Sequence, residues 1–270
     1  MSLPAWAEAF EALDRVTPLP LPQDAWEWAV GGATGRGVRV AVVDSGIDRD
    51  HPAVGQIAGH VAVEADPDSE TGTRYVTGPH EDLVGHGTAC AGIIRAMAPD
   101  VDIFSVRVLG PNLKGKGILF LSGIEWALEN RMDVVNMSLS SKSDAMFAPL
   151  HEVADDAFFG GSVLVCAANN VPGPTYPSQF ASVISVAARE TEDPLSLAYN
   201  PHPPVEFAAR GVDVEVAWSG GKSIVATGNS FATPHVAALV ALIRSKHPDM
   251  TPFQVKAVLH ALCENAYAPT

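Results

Sequence analysis

Cysteine is scarce in this chain: 270 residues include three, Cys90, Cys166 and Cys263. Three thiols cannot all pair, and no CxxC or Cys/His metal spacing occurs, which argues against a disulfide scaffold and a structural zinc. Cys90 in "ACAGII" and Cys166 in "VLVCAA" sit in apolar runs, where a thiol behaves as a small buried hydrophobe, and a reducing compartment is expected. Positive charge is short as well. With 17 basic against 31 acidic residues the net charge is −14, which repels phosphate backbones and anionic lipid, so neither nucleic acid nor membrane is expected as a partner. Long apolar runs are missing, and none approaches membrane-spanning length. The opening "MSLPAWAEAFEALDR" puts Glu8, Glu11 and Asp14 where a secretory leader needs a basic start and an apolar middle, so the expected location is cytoplasmic. Internal repeats and low-complexity segments are absent too.

What is present suits one large α/β domain. At 47% hydrophobic the chain can bury a sizeable core. Trp6, Phe10 and Leu13 fall at helical spacing, so residues 1–23 read as a short amphipathic helix on the body followed by the proline-rich connector "TPLPLPQ". Residues 24–270 form the main domain. Apolar, β-branched runs at 38–44, 101–109, 134–139, 162–168 and 182–188 alternate with helical patterns at 86–97, 117–130 and 146–159. Continuous apolar strands separated by helices predict a three-layer α/β fold with a mostly parallel central sheet and helices on both faces. "SFATPHVAALVALIRSKHP" is apolar nearly all round and belongs in the centre; Pro234 fits a first turn, so its start is expected between Ser230 and Thr233. Thr251, Pro252 and Gln254 form the start of a capped final helix.

Several residues are candidates for chemistry, each with a plainer reading beside it. Asp44 ends a strand in "VVDSGID"; sites form at the carboxyl ends of parallel strands, but an aspartate there is also a common turn former. His86 stands in "GHGTACAG" at the mouth of a helix, as a helix cap or as a general base, and the positive end of the helix dipole favours its neutral form. "HEDLVGH" begins like a zinc HExxH motif, but its second histidine comes two positions late. "GPNLKGKG" has phosphate-loop glycines and a lysine, yet Gly117 stands where Ser or Thr must hold magnesium, so it reads as an extended loop. Ser230 in "GNSFATPH" is a helix N-cap or a nucleophile at a helix start, and Asn169 in "LVCAANN" is a turn residue or an amide donor aimed at an oxyanion.

Asp44, His86 and Ser230 follow the chain order aspartate, histidine, serine, which is that of the subtilisin triad. "VAVVDSGID", "GHGTACAG" and "GNSFATPHVAAL", together with "SVRVLG", "GIEWALENRMDVVNMSLS", "YPSQFASVISVAA" and "ALIRSKHP", resemble the subtilisin-like serine proteases over nearly the whole chain. The resemblance implies that Ser230 attacks the scissile carbonyl, that His86 moves its proton and that Asp44 orients the imidazole. It implies Asn169 and the Ser230 N–H as oxyanion donors. Ser138, Leu139 and Ser140 would form one wall of the pocket for the residue before the cut, Ala167, Ala168 and Asn169 the other, and Thr175 its floor. A β-branched floor excludes large aromatics, so a small or medium unbranched side chain is expected there.

Departures from the family pattern are Ala168 and Ser140 in place of glycine, Asn229 in place of threonine and Phe231 in place of methionine; none removes a reacting atom. The calcium loop that many relatives carry after the histidine helix has no room in "IIRAMAPDVDIF". Acidic "EADPDSETGT" reads as a solvated loop, so no metal or other cofactor is expected to be required. Little sequence precedes the matched region where secreted relatives have a leader and a prosegment, so the chain is expected either to fold unaided or to be a mature fragment. From the resemblance, no counterpart of the family's last strand and helix is expected after Cys263. Cys90, one helical turn past His86, is expected beneath the base, where it would confer mercurial sensitivity. Two functions follow: an active endopeptidase acting on peptide or protein substrates, housekeeping or dedicated to one intracellular peptide, or a silent relative whose cleft binds peptide.

Overall fold

The computed structural model describes residues 4–10 and 24–266. Its sheet has nine strands: β1 (Arg39–Asp44), β2 (Gly59–Ala65), β3 (Thr73–Thr77), β4 (Asp102–Arg107), β5 (Val134–Met137), β6 (Val163–Ala167), β7 (Ile184–Arg189), β8 (Leu197–Tyr199) and β9 (Phe207–Arg210). They lie in the order β3-β2-β4-β1-β5-β6-β7-β9-β8, parallel throughout except for β3 and β8 at the two edges. A separate antiparallel pair, β10 (Val214–Trp218) and β11 (Lys222–Ala226), completes the strands.

Among the described residues six α-helices cover the sheet: α1 (Ala25–Val30), α2 (His86–Met97), α3 (Gly117–Glu129), α4 (Phe147–Gly160), α5 (Asn229–Lys246) and α6 (Pro252–Leu262). The period of two along each strand divides them. Val40 and Val42 of β1 face a core shared with α1, α2, α5 and α6, while Ala41 and Val43 face a second core shared with α3 and α4. Both faces being covered, the inner strands read as unbroken apolar runs, and the expected three-layer, mostly parallel arrangement is what forms.

Two boundaries differ from expectation. The amphipathic helix foreseen around Trp6 is a short 3-10 turn, Ala7–Phe10, within the described part; Leu13 and the proline-rich connector lie outside the described residues. Helix α5 starts at Asn229, which moves Pro234 out of the first turn. A proline there has no N–H for the carbonyl four residues back, that of Ser230. That carbonyl is taken instead by the Ser138 hydroxyl at 2.8 Å, with the Cys90 thiol at 3.8 Å. The capping box of α6 forms as read: Thr251 accepts from the Gln254 backbone and Gln254 reaches back to the Thr251 N–H.

Candidate active site

The carboxyl edge of the sheet gathers the candidate residues. Asp44 is the last residue of β1 and is fully buried. Its two oxygens lie 2.8 and 2.9 Å from Nδ1 of His86, the first residue of α2, and Oδ1 also accepts the Ser45 N–H at 2.7 Å. An imidazole whose Nδ1 faces a carboxylate carries its proton on that nitrogen, which leaves Nε2 as the free acceptor. The Phe231 ring lies beside it, centroid to centroid 5.4 Å.

Burial alone would lower the His86 pKa, but the Asp44 charge, its hydrogen bond and the charge of Asp82 together hold it above the ordinary value. The helix dipole was expected to favour the neutral ring. A full negative charge in contact outweighs about half a positive charge spread over a helix end.

Asp82 is a residue that sequence reasoning missed. Its Oδ1 accepts from the Ser45 hydroxyl, the Val84 N–H and the Gly85 N–H, and its Oδ2 from the N–H and hydroxyl of Thr88. Ser45 Oγ in turn accepts the Gly87 N–H at 3.1 Å. Asp82 thereby joins the end of β1 to the first turn of α2, the two elements that carry Asp44 and His86. The glycines around His86 have separate reasons. Gly85 holds φ +120° against the Trp218 ring, and a Cβ on Gly87 would stand 2.1 Å from the Gly46 carbonyl oxygen.

Ser230 lies in the first turn of α5, buried to 9% exposure, and shares with His86 a cleft of about 180 Å³. Leu139, Ser140, Ala167, Ala168 and Asn169 line this cleft. Ser138 lines it too, but its hydroxyl turns inward to Ser230 O and receives Asn136 Nδ2 at 3.1 Å, so it also braces the serine's peptide. Leu109, Leu113 and Asn170 complete the lining. Leu109 ends the apolar run read as a strand, and Leu113 comes from the loop read only as an extended glycine connection, where it is the one leucine in an otherwise polar stretch. A larger cleft of about 540 Å³ involves Arg36, Arg95 and Asp102, at the amino ends of the strands.

Thr175 does not line the cleft. It is fully buried, its Oγ1 accepting the Asn169 N–H at 3.0 Å and lying 3.2 Å from Ser140 Oγ, so it ties the two walls together from behind. The Ser141–Tyr176 bridge closes the same joint. Asn169 gives one Nδ2 proton to Pro174 O at 2.9 Å.

Cys90 is buried with Sγ 3.1 Å from Ser138 Oγ and 3.9 Å from Asp44 Oδ2, and its sulfur lies within 4.8 Å of ligand atoms of both Asp44 and His86. Burial and then the Asp44 charge push its thiol pKa up, so it stays a protonated donor. Among the described residues, Asp44, His86 and Cys90 form the one group of three metal-capable side chains. His80 stands apart: its Nε2 meets Ser105 Oγ at 2.9 Å and its ring meets His60 edge to face.

Replacing Asp82 by alanine leaves several buried donors unpaired. Asp82→Ala is expected to destabilise the fold by at least about 3 kcal/mol, since an unsatisfied buried group costs about 1–3 kcal/mol. Thermal unfolding followed by circular dichroism checks this, and an unchanged midpoint would refute the network.

A model of the subtilase family matches residues 35–265. Subtilisin E of Bacillus subtilis (strain 168) is 35% identical over 240 residues, 83% of this chain, and the chain spans 60% of that relative's length. Subtilisin of Bacillus pumilus is 35% identical over 240 residues, with 83% of both chains covered. The crystal structure of a cold adapted subtilisin-like serine proteinase superposes with a TM-score of 0.69 at 27% identity, over 96% of this chain and 92% of that one. A sequence match of this extent, on a chain that also folds alike, places it in the subtilase family, peptidase S8.

Proposed function

We propose that the chain is a serine endopeptidase acting on peptide or protein substrates through an acyl-enzyme. The observation that carries the reading is the buried Asp44–His86 pair opening onto the same cleft as Ser230. In this reading Nε2 of His86 takes the Ser230 proton as the hydroxyl attacks and later hands it to the leaving amine, while Asp44 holds the ring and offsets its transient charge. Negative charge on the tetrahedral oxygen falls to the Ser230 N–H, at the positive end of α5, and to Asn169 Nδ2, whose second proton is available beyond Pro174 O. A silent peptide-binding relative is the alternative, and covalent labelling separates the two. Intact mass after incubation with a fluorophosphonate should show one adduct on the wild type and none on Ser230→Ala; no wild-type adduct would favour the silent reading. A reducing compartment, the cytoplasm, is proposed for its site of action, supported by three free, buried thiols. Among the described residues no helix is long and apolar enough to cross a membrane.

The raised His86 pKa sets a pH dependence. His86 must be neutral to accept the serine proton, so the acid limb of kcat/KM is expected above about 6.5, the ordinary imidazole value. His80 and His235, held down at about 4 by burial, stay neutral throughout that range. Stability should run the other way. A group with a raised folded pKa stabilises the fold fully below its unfolded pKa, and that contribution is lost as pH rises through the folded value. Rate and unfolding profiles measured together check both signs; an acid limb below 6 would contradict the assigned shift.

Specificity follows from the brace behind the pocket. With Thr175 filling the joint between the walls, cleavage after small or medium unbranched residues is proposed. Thr175→Gly removes the hydroxyl that joins Asn169 to Ser140 and is expected to loosen the two walls, raising kcat/KM for Phe relative to Ala before the cut. A peptide series varied at that residue measures it, and a wild type that cleaves best after Phe or Tyr would sink the idea.

A further inference from the structure

The described amino-terminal residues, Pro4 to Phe10, lie against the back of the loop that carries Asn169. Their attachment is a closed ring of hydrogen bonds. The Ala5 N–H donates to Asn170 O at 2.8 Å, Asn170 Oδ1 accepts the Asn229 N–H at 2.9 Å, and Asn229 Nδ2 donates to Ala5 O at 3.1 Å. Asn229 precedes the proposed nucleophile directly. Its amide also reaches Ala168 O and Asn169 O at 3.1 and 3.2 Å and accepts the Ala188 N–H at 2.9 Å, so one side chain ties the strap, the oxyanion loop and β7 together. Below the ring, Trp6 rests on a small apolar cluster that includes Ala168, Ala187 and Ala208. Ala168 is at once a lining residue of the cleft and part of that cluster.

A donor aimed at developing charge is effective only while its backbone is held still, because reorganisation during the reaction cancels its advantage. The loop after Asn169 has little to hold it from outside: residues 170–174 are all exposed. Thr175 and Pro174 secure its far end through the Asn169 N–H and amide, and the strap with Asn229 secures the near end through the Ala168, Asn169 and Asn170 carbonyls. Docking is not free of opposing terms. Trp6 sits at φ +77°, in the left-handed region, and its buried Nε1 has no partner.

We propose that residues 4–10 are a positioning strap: docked on Asn170 and Asn229, they hold the Asn169 loop in the geometry that the oxyanion step requires. The proposal rests on the reading of Asn169 as an oxyanion donor. Its consequence is that residues remote from the cleft set the turnover rate while leaving substrate binding nearly unchanged.

Two variants release the strap differently. Trp6→Ala removes its apolar anchor, and Ala5→Pro removes the N–H that meets Asn170 O. Steady-state kinetics on a chromogenic peptide, in the wild-type and Asn169→Ala backgrounds, is read alongside amide hydrogen exchange over residues 168–173. Each strap variant is expected to lower kcat about 10-fold with KM within about twofold, as for loss of an interaction made only in the transition state. In the Asn169→Ala background the same variants should change kcat less than about twofold, since effects that act through one group do not add. Exchange over 168–173 should quicken. An unchanged kcat, or a 10-fold loss that persists without Asn169, overturns the proposal, the latter by showing a merely structural role. If the wild type neither turns over nor labels, the endopeptidase reading fails by itself. Exchange then decides the strap: quickened exchange in both variants supports it, and unchanged exchange overturns it.

Discussion

One carboxylate without access to water organises the carboxyl edge of the sheet. Asp44 is buried at the end of the inner strand β1, where an acid group needs donors on every side to offset its desolvation. It finds the Ser45 N–H, the His86 imidazole and the Cys90 thiol. Meeting that need fixes much else. His86 must stand at the first residue of α2, α2 must abut the end of β1, and Gly87 must lack a side chain so that the helix can close on Gly46. A second buried acid, Asp82, holds the approach in place by spanning the same two elements.

Helix α5 answers the same constraint from the other side. It lies against β5, β6, β7 and β9 with its first fifteen residues, Asn229 to Ile243, buried. Burial so complete stops the helix from shifting along its axis, and that sets where Ser230 stands relative to the sheet. Pro234 then does something that an ordinary helical residue would not. By withholding its N–H it frees the Ser230 carbonyl for Ser138, which couples the serine's own peptide to the end of β5. The helix start, the strand end and the thiol of α2 meet at that one oxygen.

The central architecture was legible because buried parallel strands have a distinctive texture. "VRVAVVD" and "SVLVCAA" can only be covered on both faces, and their separation by helical patterns leaves few topologies. Strands β2 and β3 and the β10–β11 pair carry mixed polar and apolar residues, and β8 is only three residues long, so none has a comparable signal. Asp44, His86 and Ser230 were legible as candidates because strand ends and helix starts can be located from pattern alone. Asp82 was not. Its letters lie in a polar loop, and what distinguishes it is burial among donors brought from β1 and α2, which is a property of the assembled fold. Thr175 was misplaced for the same reason: alignment put it at the pocket's base, whereas its hydroxyl is consumed in joining Asn169 to Ser140 behind the walls.

The walls of the cleft and the acid–base pair are therefore held by different kinds of force. Asp44 and His86 are fixed by buried, charge-assisted hydrogen bonds and by close-packed backbone at Gly87, arrangements that have one geometry or none. The walls are strand ends continued past the sheet, and beyond Ser138 and Ala167 they are held mainly by neutral hydroxyl and amide contacts at Thr175, Ser140, Asn170 and Asn229. Neutral bonds of this kind each contribute about 1 kcal/mol and can be exchanged for others. A chain built this way can alter its pocket or its oxyanion loop by changing a brace, with the pair that moves the proton left untouched.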